Sequence, residues 1–240
     1  MSSAVSGKKG FSPKALFGGR SLSKLLIGVI LFIMIIVPIV RMIFYIDAEK
    51  LKEVFGWGAF YSALVNSLTS TIVATVISVV LAYLLAWAIV RTDIKCKYLF
   101  TVLITLPMLI PSISHGMGLI VLFGNNGVIT RLFNSSQSIY GFWGVVFGSV
   151  LYSFPVAFIM IADVLKYQDQ TPYEAADVLG IPKSRQFTAI TYPYIRKPMI
   201  SVLFAVFTMI LTDYGVTLSV GGPFKTLAVL LYEEAVGQLN

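Results

Sequence analysis

Glu174-Ala175-Ala176-Asp177-Val178-Leu179-Gly180, followed further on by Ile190-Thr191-Tyr192-Pro193, is a charged, helix-forming stretch in a chain that is otherwise mostly apolar. It occupies the longest polar connection between two hydrophobic runs. Thr171 suits an N-cap and Pro172 the first helical position, and Glu174, three residues after the cap, completes a capping box. Ala175, Ala176 and Leu179 group near one helix face, and Glu174, Asp177 and Val178 near another. Gly180 falls where a left-handed residue ends a helix. Pro182 disfavours helix at Ile181 and can open a second helix, in which Phe187, Ile190 and Tyr194 recur at helical spacing. Pro193 is expected to bend the chain toward the next apolar run, and Pro198 to begin the membrane helix there. These local rules leave two readings open: a well-capped surface loop, or a rigid module that docks a partner.

Outward from this stretch, composition sets the class. The 240 residues are 57% hydrophobic and only 12% charged, with a mean hydropathy of +0.86. A soluble domain carries about 25% charged residues, so the deficit places the chain in the membrane class. The net charge of +7 sits mainly at the ends of apolar runs, which argues for membrane topology and against a nucleic-acid face. The single cysteine, Cys96, excludes an intrachain disulfide and a multi-cysteine metal site.

A membrane helix needs about 20 mostly apolar residues. Five segments meet or approach this: Leu25 to Tyr45, Ala59 to Val90, Tyr98 to Phe123, Ile139 to Ile161, and Met199 to Val220. The second exceeds one crossing, so it tilts or starts at the interface. The fifth is interrupted by Asp213 and Gly215 near its outer end. With a cytoplasmic N-terminus, 13 of the 18 basic residues fall on the inner side, which favours that orientation. It makes the connection from Lys166 to Pro198 cytoplasmic. No small-x-small cleavage site follows the first run, so it reads as a retained helix rather than a signal peptide. The expected organisation is a basic cytoplasmic N-terminus (1–24), a first span with its periplasmic loop (25–60), and a core transmembrane unit (61–240) that contains the connection 166–198.

The spacing Glu174-Ala175-Ala176, Gly180, Ile190, Pro193 resembles the EAA signature of permease subunits in bacterial binding-protein-dependent ABC importers. Tyr192 departs from the leucine usual before the proline. Asn66-Ser67-Leu68, opening a long span that ends in Ala82-Tyr83-Leu84-Leu85-Ala86, and the proline-broken Leu106-Pro107-Met108-Leu109-Ile110-Pro111 extend the resemblance from Tyr61 to the end. The resemblance implies an all-α, polytopic transmembrane bundle of the type I importer permease kind, with a sixth span beyond the five. It implies that Glu174, Ala175, Ala176, Gly180, Ile190 and Pro193 couple the spans to a separate ATPase, which binds the ATP. It further implies an extracytoplasmic substrate-binding protein, a second permease unit, and residence in the bacterial inner membrane. Thr212-Asp213-Tyr214-Gly215, with Gly221-Gly222 and Thr226-Leu227-Ala228-Val229, looks most like the iron(III), thiamine and aminoalkylphosphonate branch. Within it 2-aminoethylphosphonate is favoured, and polyamine stands among the other small solutes.

Three polar residues are candidates for the substrate path. Asp213 is a carboxylate in a span, which is either functional or at the outer water interface. His115, the sole histidine, follows two prolines where a broken helix can mark a transport site, or it packs with its nitrogens satisfied. Asn66 either lines the path or joins helices. No HExxH, GxSxG or GxxxxGK[ST] motif is present, so no nucleophile–base pair, metal site or nucleotide site is visible and the chain reads as a transport subunit without its own ATPase. The competing readings are a membrane channel or scaffold with a capped loop, and an intramembrane enzyme using His115 and Asp213.

Overall fold

A computed structural model describes residues 19–44, 47–133 and 139–237. Lys8, Lys9 and Lys14 of the basic N-terminus and the end of the first expected span at Tyr45 lie outside them. The chain divides into two compact units, Met1–Trp57 and Gly58–Asn240. The first contains α1 (Gly19–Phe44), apolar all round as a membrane span is, and α2 (Ala48–Gly56), whose first turn is capped by Asp47. The second begins with α3 (Gly58–Arg91), α4 (Lys97–Thr105), a 3-10 turn (Leu106–Leu109), α5 (Ser112–Phe123) and α6 (Val128–Leu132). It continues with α7 (Phe142–Lys166), α8 (Thr171–Val178), α9 (Lys183–Gln186), a π turn (Phe187–Thr191), α10 (Tyr192–Leu211), α11 (Gly215–Val220) and α12 (Leu227–Gly237).

Four helical runs among the described residues are long and apolar enough to cross a membrane: Leu22–Phe44, Gly58–Arg91, Phe142–Lys166 and Lys183–Leu211. The bent pair Lys97–Leu109 and Ser112–Leu132, which turns by 102°, makes a fifth if it is one broken span. Pro107 and Pro111 cause the break. Each lacks a backbone N–H and disfavours helix in the residue before it, and Ile110 is accordingly extended at φ −97°, ψ 135°.

The core of the second unit is built on small residues. On α3, Ser67, Ser70, Ala74, Ser78, Ala82 and Ala86 are buried and recur every three to four positions, which allows a neighbouring backbone to approach closely. α7 answers with Gly144, Gly148, Ser153 and Ala157. The Ser78 and Ser153 hydroxyls meet at 2.7 Å, both buried. Phe158, Ile161 and Leu165 of α7 and Val202, Val206 and Ile210 of α10 fill the remaining space. Two threonines of the third span bond locally: the Thr101 and Thr105 hydroxyls donate to carbonyls one turn back, each at 2.9 Å. At the opposite end of α3 from Arg91, the Ser67 hydroxyl accepts the Leu227 N–H at 2.7 Å and caps α12 from across the fold.

The fifth span differs from the sequence expectation at both ends. Pro198 lies inside α10 and does not begin it, and the helical run starts at Lys183. The run ends at Leu211 rather than Val220. Asp213 then accepts the Val216 N–H at 3.0 Å and starts the separate short helix α11.

Candidate functional site

The helix-turn-helix between α7 and α10 forms as the local rules require, with one correction at its start. α8 begins at Thr171, but no Thr171–Glu174 capping box forms. Asp169 supplies the cap instead, accepting the Thr171 N–H at 3.0 Å and the Thr171 hydroxyl at 2.9 Å. These two bonds hold the Asp169 carboxyl below its usual range. A carboxylate accepts an N–H better than a hydroxyl does, so Asp169 displaces the threonine from the capping role.

The far end of α8 closes as expected. Gly180 stands at φ +67°. Its N–H donates to Asp177 O at 3.0 Å, and the Ile181 N–H reaches Ala176 O at 2.9 Å. This pair of bonds is a Schellman motif, and it satisfies carbonyls that a helix end would otherwise leave open. Three side chains then clamp the turn. Lys183 Nζ donates to both oxygens of Asp177 at 2.7 and 2.8 Å. Buried Gln186 donates to Asp177 Oδ1 at 2.6 Å and to Ile181 O at 2.9 Å. The bonds from Lys183 and then Gln186 hold the Asp177 carboxyl below its ordinary range.

Of the paired alanines, only Ala175 shares the exposed face with Leu179. Ala176 is 5% exposed, whereas Leu179 is 75% and Val178 88% exposed. Glu174 and Ala175 are also exposed. α8 therefore presents Glu174, Ala175, Val178 and Leu179 outward on a capped, clamped helix and turns Ala176 inward. The second helix buries Gln186, Thr191 and Ile195, whereas Phe187 and Tyr194, which recur at helical spacing in the sequence, are exposed and Ile190 is half-buried. Pro193 is the cause. It has no N–H for Ala189 O and its ring crowds that carbonyl. The preceding residues widen into the π turn, whose last bond runs from the Tyr192 N–H to Phe187 O. Pro193 then sits in the first turn of α10 and does not bend it away.

The module is tied to the bundle by residues that sequence reasoning passed over. The Arg91 guanidinium donates to the side-chain oxygens of Gln168 and Gln170 and lies 4.8 Å from the Tyr173 ring centre. The Tyr173 and Thr191 hydroxyls meet at 2.5 Å. The end of α3, the end of α7, α8 and the π turn are thus joined at one end of the bundle. The only sequence signal for this was the basic residue closing an apolar run.

The three substrate-path candidates are not brought together. Asn66 donates to Lys225 O at 3.0 Å and joins α3 to the approach to α12. His115, on α5, is 9% exposed and meets Tyr152 edge-on at 6.0 Å. Its Nδ1 lies 3.3 Å from Pro111 O, while its Nε2 is buried without a partner among the described residues. Asp213 caps α11, which packs tightly on α5: a side chain at Gly116 would collide with Ser219, and one at Gly215 with Ser112. His115 and Asp213 thus occupy adjoining elements, and no hydrogen bond or ion pair joins them among the described residues. Among those residues, too, no group of three His, Cys, Asp or Glu could hold a metal ion.

A bundle of spans around a broken helix, with a clamped helix-turn-helix at one end, is the fold of a type I importer permease. A chain of the bacterial alginate ABC transporter, solved in complex with an alginate pentasaccharide-bound periplasmic protein, shares it. That chain gives a TM-score of 0.73 at 19% identity, over 94% of this chain and 86% of that one. Residues 78–235 match the family of binding-protein-dependent transport system inner membrane components, and the chain belongs to that family, a multi-pass inner-membrane transport family rather than an enzyme family. It is 26% identical over 133 residues to the ferric transport system permease protein FbpB of Actinobacillus pleuropneumoniae, covering 53% of this chain and 19% of that one. It is 24% identical over 138 residues to the thiamine transport system permease protein ThiP of Brucella abortus, covering 55% and 25%. It is 29% identical over 122 residues to a spermidine/putrescine transport system permease protein PotC homolog of Mycoplasma pneumoniae, covering 51% and 41%. The matches thus span well under half the length of these relatives.

Proposed function

We propose that this chain is the membrane permease subunit of an ATP-driven ABC importer, and that α8 is the helix through which a separate ATPase moves it. The observation that carries this reading is the exposure of Val178 and Leu179 on a helix capped by Asp169 and clamped by Lys183 and Gln186. Two large apolar side chains held in water on a rigid element form a surface that a partner covers. A rigid helix transmits a displacement that a loose loop would absorb. Glu174, Ala175, Gly180 and the exposed pair form the docking face. Ala176 sets its backbone from behind, and Ile190 and Pro193 form the joint to the fifth span. ATP is bound by the partner, and an extracytoplasmic binding protein and a second permease unit complete the transporter.

The N-terminus is cytoplasmic in this proposal. Arg91, Lys166, Lys183 and Arg185 cluster at the end of the bundle that carries α8, which agrees with the basic bias of inner segments. The core transport unit is 61–240 and the coupling segment is 166–198. For substrate, the proposal favours a small charged solute: 2-aminoethylphosphonate first, with iron(III), thiamine and polyamine as the others. The ferric, thiamine and polyamine names of the relatives support this range. Asp213 supports a cationic group, because its Oδ1 accepts no hydrogen bond from any described residue while Oδ2 caps α11.

Co-purification tests the reading. The tagged full-length protein in mild detergent should retain an ATPase subunit, and should lose it on Glu174→Ala or Gly180→Pro. If the unsubstituted protein retains none, the importer reading fails. The ligand of the binding protein encoded beside this chain then decides the substrate.

A further inference from the structure

A cavity of about 710 Å³ opens between the end of α3, α8 and the turn into α10. Its walls are aromatic and apolar at Leu84, Trp87 and Phe187, and its charged groups cancel only in part. Asp177 is neutralised by Lys183. Arg91 has only neutral partners, the oxygens of Gln168 and Gln170 and the Tyr173 ring, with no carboxylate within 4 Å among the described residues. Glu174 lines the same cavity with no cation within that distance among the described residues. The Tyr83 hydroxyl, also in the lining, is buried without a hydrogen-bond partner among the described residues. A buried hydroxyl without a partner is costly, and a positioned guanidinium is a strong phosphate donor. The cavity thus holds one oriented cation with a free donor beside it, and one free carboxylate.

We propose that this cavity binds a phosphoethanolamine-type zwitterion, with the phosphate on Arg91 and Tyr83 and the ammonium on Glu174, and that its source is a membrane phospholipid. The lipid source follows from α3. Val76, Val80, Leu84 and Trp87 recur every three to four residues up the helix from Arg91 and are all exposed, so they line a path for acyl chains on the same face as the head group. Trp87 lies near the polar end, where indole rings favour the membrane interface. The site goes beyond the importer reading and does not depend on it, because binding is measured on the chain without an ATPase.

The probe is the full chain in detergent carrying Trp57→Phe and Trp143→Phe, so that Trp87 alone fluoresces. It is titrated with dihexanoyl phosphatidylethanolamine, dihexanoyl phosphatidylglycerol and soluble O-phosphoethanolamine. The expected result is saturable change with phosphatidylethanolamine, weakened about tenfold or more by Arg91→Gln. Tyr83→Phe, which removes one oxygen and leaves the ring, weakens it less, and Arg91→Lys retains part of the binding. Glu174→Gln weakens phosphatidylethanolamine and leaves phosphatidylglycerol unchanged. A silent Trp87, or Arg91→Gln and Tyr83→Phe chains that both bind as the parent does, overturns the site. Equal binding of O-phosphoethanolamine overturns the lipid source and assigns the cavity to a soluble zwitterion.

Discussion

Replacing Gly180 by alanine isolates the closure of α8 from every other contact. A methyl group there meets no atom of the described residues within 4 Å, so crowding by them contributes nothing. What remains is the backbone, held at φ +67°. An L-residue in that region costs about 1–2 kcal/mol, which is about a 5- to 30-fold change in the local opening equilibrium. The bonds at risk are those from the residue 180 N–H to Asp177 O and from the Ile181 N–H to Ala176 O. Hydrogen exchange reads them directly. The Ile181 amide should lose protection by that factor, while amides of Val202 and Val206 in α10 stay unchanged, because the opening is local. Gly180→Asn should fall between the two, since asparagine tolerates the left-handed region better than alanine. Even thirtyfold easier opening leaves a stable helix mostly closed, so ATPase retention should survive Gly180→Ala. It should not survive Gly180→Pro, which both fixes φ near −65° and removes the N–H. Unchanged Ile181 protection in the alanine variant would refute the argument, as would a loss that spreads into α10.

Gly116→Ala should destabilise the bundle by about 1–3 kcal/mol, because its methyl would sit 1.8 Å from Ser219 Oγ. Adding Ser219→Gly should recover most of that loss in a double-mutant cycle of detergent unfolding, since among the described residues Ser219 bonds only within its own helix. Ser78→Ala should cost about 0.6–1.7 kcal/mol, as hydrogen bonds between membrane helices do. Ser78→Ala with Ser153→Ala should be no worse than either single change, because the pair then leaves no buried hydroxyl unmatched. A double variant clearly worse than both would show that the hydroxyls have other roles. Acid should loosen the turn after α8. The Asp177 carboxyl is depressed by Lys183 and Gln186. Its contribution is therefore complete above the ordinary carboxylate pKa of about 4 and is lost as pH falls through the lower folded value. Ile181 protection should fall over that acid range in the parent protein, and the fall should be smaller in Asp177→Asn.

What was legible in the sequence was what short-range chemistry fixes. The apolar runs gave the spans, Pro107 and Pro111 gave the broken helix, and Gly180 gave the end of α8. Each acts within a few residues of itself and requires no knowledge of the fold. The residues that fasten the module to the bundle act otherwise. Arg91 meets Gln168 and Gln170 from 77 and 79 positions away, and Ser67 caps a helix that starts 160 positions later. Serine and glutamine carry no local mark of such a role. The buried face of the second helix was hidden for a more specific reason. The template of three to four residues selected Phe187, Ile190 and Tyr194, but the π turn stretches one step to five, from Gln186 to Thr191, before the four-residue step to Ile195. The element that broke the template, Pro193, was visible throughout. Proline was read as a bend, whereas the chain absorbed the missing N–H by widening the turn before it. That choice keeps α9, the π turn and α10 one continuous helical run, so under the proposed coupling role a push on α8 would pass through Tyr173 and Thr191 into the span without crossing a flexible joint.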